Sequence, residues 1–132
     1  MKGYIETINP MEVDYGPGIR VVVVLNIKEF KLELTVNGLV DRIRKFRPYI
    51  EPDGGVTFVG DIPLQLDFLI EELKVCHKAG IKTCIDLNNI SNIEEIKSLL
   101  KYTDCAIYNG KDDCLIKYIR DKKITLFKKE YI

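Results

Sequence analysis

The feature that most constrains the fold is the alternation of short apolar runs with amphipathic helical patterns along the whole chain. Residues 21–26 (VVVVLN) are continuously β-branched or aliphatic up to the final asparagine, which is typical of a strand covered on both faces of a parallel sheet. Three later segments repeat this signature and a fourth is predicted as the last strand: 56–59, 81–87, 105–108 and 124–127.

Amphipathic helical patterns lie between these strands. Thr35 is predicted to cap a helix that Pro48 ends, and a second helix begins near Pro63 and ends at Gly80. Two further helices are predicted, with alternative caps for each: Ser91 or Asn92, and Asp112 or Asp113.

Strand and helix in alternation predict βα units with right-handed crossovers, so the fold class is α/β with one domain over residues 1–132. About five strands are too few to close an eight-stranded barrel, which usually needs about 250 residues. We therefore expect a partial (β/α) barrel with a mostly parallel sheet. The alternative is an open flavodoxin-like sheet.

The charge balance and the apolar runs limit the classes of partner. Twenty Lys and Arg residues match twenty Asp and Glu residues, so no net field favours nucleic acid or an anionic membrane surface. The longest apolar run, residues 21–25, is far below the roughly 20 residues that span a bilayer, and no export signal is recognisable. We expect a cytoplasmic protein whose uncovered sheet edges favour a homo-oligomer or a protein partner.

The cysteines do not show the spacing of a metal site. Structural metal sites usually use close cysteine pairs, whereas Cys76, Cys84, Cys105 and Cys114 are widely spaced. The first three fall on a predicted apolar helix stripe or in predicted strands, so we interpret them as buried structural residues. The single histidine, His77, lies off the apolar stripe and is predicted to be solvated. No catalytic residue and no metal ligand is assigned.

Two glycine-containing segments carry a more specific signal. Residues 14–20 read DYGPGIR and precede the strand 21–25, and residues 54–65 read GGVTFVGDIPLQ. Either segment alone indicates only a turn beside a strand. Together and in this order they resemble the GPGIR and GGVTFSGGEPLLQ segments of the radical S-adenosylmethionine (SAM) enzymes that activate pyruvate formate-lyase and the anaerobic ribonucleotide reductase. The resemblance covers about residues 3 to 110, including residues 76–86.

The resemblance also implies a cofactor site from which this sequence departs. Family members bind a [4Fe-4S] cluster through CxxxCxxC in the loop after the first strand, but residues 26–34 contain no cysteine and the loop is short. Asp61 replaces a family glycine, Ile62 replaces a glutamate, and of the Asp-Thr-Ser-Gly-like turn only Asp86 matches. The implied vestigial SAM pocket comprises the following residues: Gly16, Pro17, Gly18, Arg20, Gly60, Asp61, Pro63 and Asp86.

These departures lead to the expected function. We expect a degenerate homologue of a glycyl-radical-enzyme activase that acts as a binding or regulatory protein without radical chemistry, with a glycyl-radical enzyme as one candidate partner. No cofactor is expected apart from residual SAM binding, and a [4Fe-4S] cluster is not expected. Two alternatives stay open: a working activase with cluster ligands from elsewhere, and a cluster-free small-ligand binder. Residues 28–34 form either a solvated connector or a strand that covers the old pocket or pairs with a partner's edge.

Overall fold

A computed structural model describes residues 1–129, so the last three residues of the predicted domain, 130–132, lie outside the described part of the chain. A 3₁₀ turn at Ile62–Gln65 precedes the third helix. The strands and helices of the described residues are, in chain order, β1 (Lys2–Glu12), β2 (Arg20–Leu25), β3 (Leu32–Thr35), α1 (Val36–Arg44), α2 (Arg47–Ile50), β4 (Gly55–Gly60), α3 (Leu66–Lys78), β5 (Thr83–Asp86), α4 (Ile93–Leu100), β6 (Cys105–Ile107), α5 (Asp113–Asp121) and β7 (Thr125–Phe127).

The strands form one mostly parallel sheet in the order β3-β1-β2-β4-β5-β6-β7. The four pairs from β2 to β7 are parallel, and the pairs of β1 with β2 and with β3 are antiparallel. The α/β prediction is confirmed, and the sheet is open at β3 and β7, as both a partial barrel and an open sheet require. The expected number of about five strands was too low, because seven strands are present among residues 1–129.

The two additional strands come from the amino-terminal part of the chain. β1 has few deeply buried apolar side chains besides Ile5, and two bulges interrupt its pairing with β2, so neither an alternating nor a continuous apolar pattern marks it. β3 lies within the segment that was interpreted as either connector or strand. The structure combines both, because residues 26–31 form a turn and Leu32–Thr35 pair with Lys2–Ile5.

The two faces of the sheet have different surroundings. One face carries Val21, Val23, Phe58 and Ile85 and packs against the buried sides of α1, α3, α4 and α5 in the main hydrophobic core. The other face carries a smaller cluster of Cys84, Cys105 and Ile107, against which Tyr15 and Phe127 pack. The segment between β1 and β2 therefore lies over the helix-free face of the sheet.

Three helix starts follow the predicted capping residues, but the predicted end of the first helix at Pro48 was wrong, because α1 ends at Arg44 and Pro48 lies in the first turn of α2. The Thr35 hydroxyl accepts a hydrogen bond from Gly38 N, and between the alternative caps the structure selects Asn92 and Asp112. Gly80, with a φ of 74°, follows the end of α3. Among residues 1–129, no helix has both the length and the apolar character needed to cross a membrane.

Candidate functional site

The predicted pocket residues lie at two opposite edges of the sheet. In the parallel pair of β2 and β4, Arg20 is opposite Gly55 and Leu25 is opposite Gly60. Gly16, Pro17, Gly18 and Arg20 are therefore at the amino ends of the parallel strands, a distance of roughly 16 Å along the strand from the carboxyl ends. The eight residues therefore form two groups of four, one at the amino ends of the strands and one at their carboxyl ends, and a single pocket that includes all eight stays a prediction.

The carboxyl edge holds the other four residues, Gly60, Asp61, Pro63 and Asp86. Asp61 uses its carboxylate within the protein: Oδ2 accepts a hydrogen bond from Ile27 N at 2.7 Å, and Oδ1 accepts one from Gln65 Nε2 at 3.1 Å. Asp61 N also donates to Leu25 O at 3.0 Å. The aspartate that replaces the family glycine thus fixes the short turn that follows β2.

Gln65 completes this arrangement and was not singled out from the sequence. Its side-chain amide accepts from Tyr4 N at 2.8 Å and donates to Tyr4 O at 2.9 Å, so it pairs with the β1 backbone as another strand would. The Asn26 side chain accepts from Lys28 N and Glu29 N and closes the turn from the other side. In the sequence, the only signal was a polar residue between Leu64 and Leu66.

Gly60 has a backbone role that does not depend on a ligand. Its φ is 104°, and a Cβ at this position would lie 2.1 Å from Leu25 O. Only glycine fits both the conformation and the close approach to β2. The matched glycine is therefore required by the fold itself.

Asp86 belongs to a hydrogen-bond network across the ends of β5, β6 and β7. Its Oδ1 accepts from Asn88 N and from Asn88 Nδ2, at 2.9 and 2.8 Å. Asn88 Oδ1 accepts from Asn109 N at 2.8 Å, and the Asn109 side chain pairs with the backbone of Lys129. This network orders the loops at the carboxyl edge, and sequence reasoning identified only its first member.

A carboxyl-edge apolar patch lies beside the Asp61 turn. We use this name for Met1, Ile27, Phe30 and Leu64, whose side chains are exposed, Leu64 to 62%. Met1, Ile27 and Leu64 line a cavity of about 400 Å³, and Phe30 joins them through an edge-on ring contact with Tyr4, with centroids 4.8 Å apart. Apolar side chains grouped at a polar rim are typical of a protein-binding surface.

At the amino edge, Arg20 is only 2% exposed. Its guanidinium donates to Thr57 Oγ1 at 3.2 Å, to Pro17 O at 3.0 Å and to Val56 O at 3.0 Å, so its hydrogen-bond partners are neutral. Burial lowers the pKa of Arg20. Gly18, with a φ of 70°, lies so close to the Asp53 backbone that a Cβ would be 2.6 Å from its carbonyl carbon. The Gly-Pro-Gly segment thus positions a buried cation.

The residues present do not fit a [4Fe-4S] cluster held by this chain alone. Three thiolates must converge on such a cluster, and among residues 1–129 no group of three Cys, His, Asp or Glu side chains is placed to hold a metal. Cys76 lies in the core on the helix side, Cys84 and Cys105 lie on the opposite face, and Cys114 is exposed on α5. The turn at residues 26–31 contains no cysteine.

Comparison with known proteins reveals relatives along most of the chain. It is 37% identical over 142 aligned positions to a pyruvate formate-lyase-activating enzyme from Clostridium pasteurianum, covering 91% of this chain and 58% of the relative. A pyruvate formate-lyase-activating enzyme from Staphylococcus epidermidis is 32% identical, covering 65% and 41%. A 4-hydroxyphenylacetate decarboxylase activating enzyme from Clostridium scatologenes is 33% identical, covering 65% and 28%. No family model matches the chain.

These relatives correct the expectation about cofactors and confirm the resemblance to glycyl-radical-enzyme activating enzymes. The expectation that no cofactor is used was wrong, because the relatives are activating enzymes of the radical SAM family, which uses a [4Fe-4S] cluster and SAM. The chain spans between about a quarter and three fifths of the length of these three relatives. The chain is a homologue of the glycyl-radical-enzyme activating enzymes of the radical SAM type.

Proposed function

We propose that this chain takes part in the activation of a glycyl-radical enzyme, which it binds as its protein partner. The observation that carries the proposal is the 37% identity to the Clostridium pasteurianum enzyme over 91% of the chain. Relatives named for two different target enzymes, pyruvate formate-lyase and 4-hydroxyphenylacetate decarboxylase, have in common that they act on another enzyme. Binding of a protein partner is therefore expected whichever enzyme is the target.

The carboxyl-edge apolar patch is the surface that we assign to this partner. Ligands of parallel α/β sheets bind outside the carboxyl ends of the strands, and the patch lies there. Met1 and Leu64 are exposed to 68% and 62%, and the nearby cavity of about 400 Å³ is large enough to receive apolar side chains of a partner. Desolvating these side chains supplies the binding free energy, while the Asp61 turn holds them in place.

The cluster thiolates, in this proposal, come from a polypeptide segment other than residues 26–34. The alignment with the Clostridium pasteurianum enzyme is longer than the chain of 132 residues, so the relative carries inserted residues within the matched region. A family member with a longer loop after β2 has room for ligands that the turn of residues 26–31 lacks. The chain then contributes the sheet and the partner surface.

A second candidate function is regulatory binding of the glycyl-radical enzyme without radical formation. The specific observation in its favour is that Asp61 fixes the shortened turn by accepting from Ile27 N at 2.7 Å, so the loop after β2 is a closed, hydrogen-bonded element. Such a protein would compete for the same partner surface as an active activase. The two candidates differ in whether a glycyl radical forms.

The first experiment tests partner binding. We expect the double variant Ile27→Asp/Leu64→Asp to weaken binding to the glycyl-radical enzyme of the same cell by at least about tenfold, because buried apolar anchors dominate interface energetics. The matched control is Tyr49→Asp, another exposed apolar position, on α2, which lies outside the patch. Isothermal titration calorimetry measures both. Absence of binding by the unmodified chain would overturn the proposed function, and equal weakening by both variants would overturn the assigned surface.

The second experiment separates the two candidate functions. The chain and its partner are reconstituted anaerobically with iron, sulfide, SAM and dithionite as the electron donor, separately and together. We expect the isolated chain to bind well below four iron atoms. A cluster, together with a glycyl radical detectable by electron paramagnetic resonance, should form only when a second polypeptide segment supplies the missing thiolates. A full cluster on the isolated chain would contradict the proposal that the cluster thiolates come from another polypeptide segment. A stable complex that never forms the radical would select the regulatory function.

A further inference from the structure

A pair of cysteines lies on the helix-free face of the sheet, outside the carboxyl-edge site. Cys84 in β5 is directly opposite Cys105 in β6, and both side chains belong to the same small buried cluster. Neighbouring parallel strands are about 4.8 Å apart, which is within the Cα separation that a disulfide requires. Both thiols are free, and each affects the pKa of the other.

The electrostatic surroundings differ between the two thiols. A hydrogen bond from Cys84 lowers the pKa of Cys105, and the positive charge of Arg20 lowers it further, whereas burial and the Asp104 carboxylate oppose this shift. Burial raises the pKa of Cys84, which therefore keeps its proton and acts as the donor. Arg20 has no carboxylate among its hydrogen-bond partners, so its charge acts on the nearby Cys105 and on the Asp104 carboxylate through space.

Cys105 also has a route to small reagents. It lines a cavity of about 310 Å³ at the amino edge of the sheet, and the charged groups that line the same cavity are Arg20, Asp53, Lys82 and Asp104. Cys84 does not line this cavity. Gly16 packs over Cys84, so that a Cβ added to Gly16 would lie 3.4 Å from the Cys84 Sγ. A small polar molecule entering from the amino edge therefore meets Cys105 before Cys84.

We propose that Cys105 and Cys84 form a thiol oxidation site, in which a hydroperoxide oxidises Cys105 and Cys84 resolves the product to a disulfide. The Cys105 thiolate attacks the terminal oxygen of the hydroperoxide, the O–O bond breaks, and the leaving oxygen takes a proton to give water or an alcohol. The product is a sulfenic acid at Cys105. The Cys84 thiol then attacks that sulfur, and hydroxide leaves and combines with the Cys84 proton as water.

This site is independent of the proposed partner surface, which lies at the carboxyl edge. The disulfide would join β5 to β6 and remove the thiolate from the vicinity of Arg20, leaving the Asp104 carboxylate as the anion that acts on the buried cation. The oxidised and reduced proteins therefore differ at the Gly-Pro-Gly segment that Arg20 supports through Pro17 O.

The test uses the full chain with Cys114→Ser, because Cys114 is exposed and would react independently. The protein is treated with one equivalent of hydrogen peroxide, alkylated in denaturant and digested with trypsin, which places the two cysteines on separate peptides, 83–97 and 102–111. We expect these peptides to be joined in the main oxidised product. Cys105 should react at least about tenfold faster than the buried Cys76, whose pKa burial raises.

Two variants identify the order of the steps. With Cys84→Ser, a sulfenic acid should accumulate at Cys105 and be trapped by dimedone, and with Cys105→Ser, Cys84 should stay reduced. Folding of each variant is checked by circular dichroism. Oxidation of Cys84 at an unchanged rate in Cys105→Ser would overturn the proposal. Absence of joined peptides in oxidised Cys114→Ser protein would also overturn it, and this second result does not depend on the folding of the other two variants.

Discussion

Replacing Glu72 by glutamine should raise the free energy of unfolding by about 3 kcal/mol at pH 7. Glu72 is on α3 and is fully buried, and its Oε2 has no hydrogen-bond partner among residues 1–129. Its Oε1 receives only a long contact from the Cys76 thiol, at 3.9 Å. Burial raises the pKa of Glu72 to about 9, so the folded protein holds this side chain as a neutral acid at pH 7.

The sign of the pH dependence follows from this raised pKa. In the unfolded chain Glu72 ionises near its ordinary pKa of 4.5, whereas in the folded protein it keeps its proton up to about pH 9. The folded state therefore binds more protons between these values, and its stability falls as the pH rises, by up to about 1.4 kcal/mol per pH unit. Below pH 4.5 both states are protonated and the loss disappears.

Chemical denaturation at pH 4.5, 7 and 8.5 measures the effect. We expect the gain in Glu72→Gln to be smallest at pH 4.5 and largest at pH 8.5, since an amide does not ionise. The control is Glu71→Gln, an adjacent and half-exposed carboxylate on the same helix that pairs with Lys74. This variant should change stability by less than about 0.5 kcal/mol at every pH. Equal pH slopes for the unmodified protein and Glu72→Gln would contradict a neutral buried Glu72.

Most of the parallel part of the sheet was predictable because β2, β4, β5 and β6 are largely buried on both faces. The run at residues 21–25 and the later strands are continuous in apolar character, and Thr35 and Pro63 mark helix starts by local chemistry. β1 was not predictable in the same way, since only one of its faces meets the core and its bulges interrupt the alternation. Its position in the sheet depends on pairing with β2, which no local pattern records.

The candidate site was only partly predictable for a different reason. Asp61 comes directly after β4 and Asp86 is the last residue of β5, so strand direction places both at the carboxyl edge. Arg20 begins its strand, so strand direction places it at the amino edge. It was grouped with Asp61 because both belong to the family motifs, and strand direction was not considered. The pairing of Gln65 with Tyr4 joins residues 61 positions apart, a contact that only the folded chain reveals.

Gly54 lies in the second of the two segments that carry the resemblance to the family. Replacing it by alanine should lower the free energy of unfolding by at least about 4 kcal/mol. A Cβ here would lie 1.8 Å from Ile19 O and 2.7 Å from Ile50 O, and both obstacles are backbone atoms that no rotamer change can move. Gly54 N also donates to Ile50 O at 2.6 Å, so relief of the clash would cost this hydrogen bond.

The matched control is Gly80→Ala, which separates steric exclusion from conformational preference. Gly80 has a φ of 74°, but its Cβ would meet only the Arg47 side chain, at 3.3 Å, and this flexible group can move away. We expect a loss of about 1 kcal/mol there. Thermal and denaturant unfolding of both variants measure the difference, and a loss below 1 kcal/mol for Gly54→Ala would contradict the packing.

The expected cost at Gly54 also bears on what the family motif means in this chain. Gly54 fits between the turn that leads into β2 and the end of α2, and Gly60 fits against Leu25 O, so both glycines are required where β4 runs beside β2. Their requirement is set by backbone contacts that exist without any ligand. A protein that keeps this pair of strands therefore keeps these glycines, whether or not the loop after β2 carries thiolates. The motif reports shared architecture at these positions, and the cofactor chemistry must be tested at the loop itself.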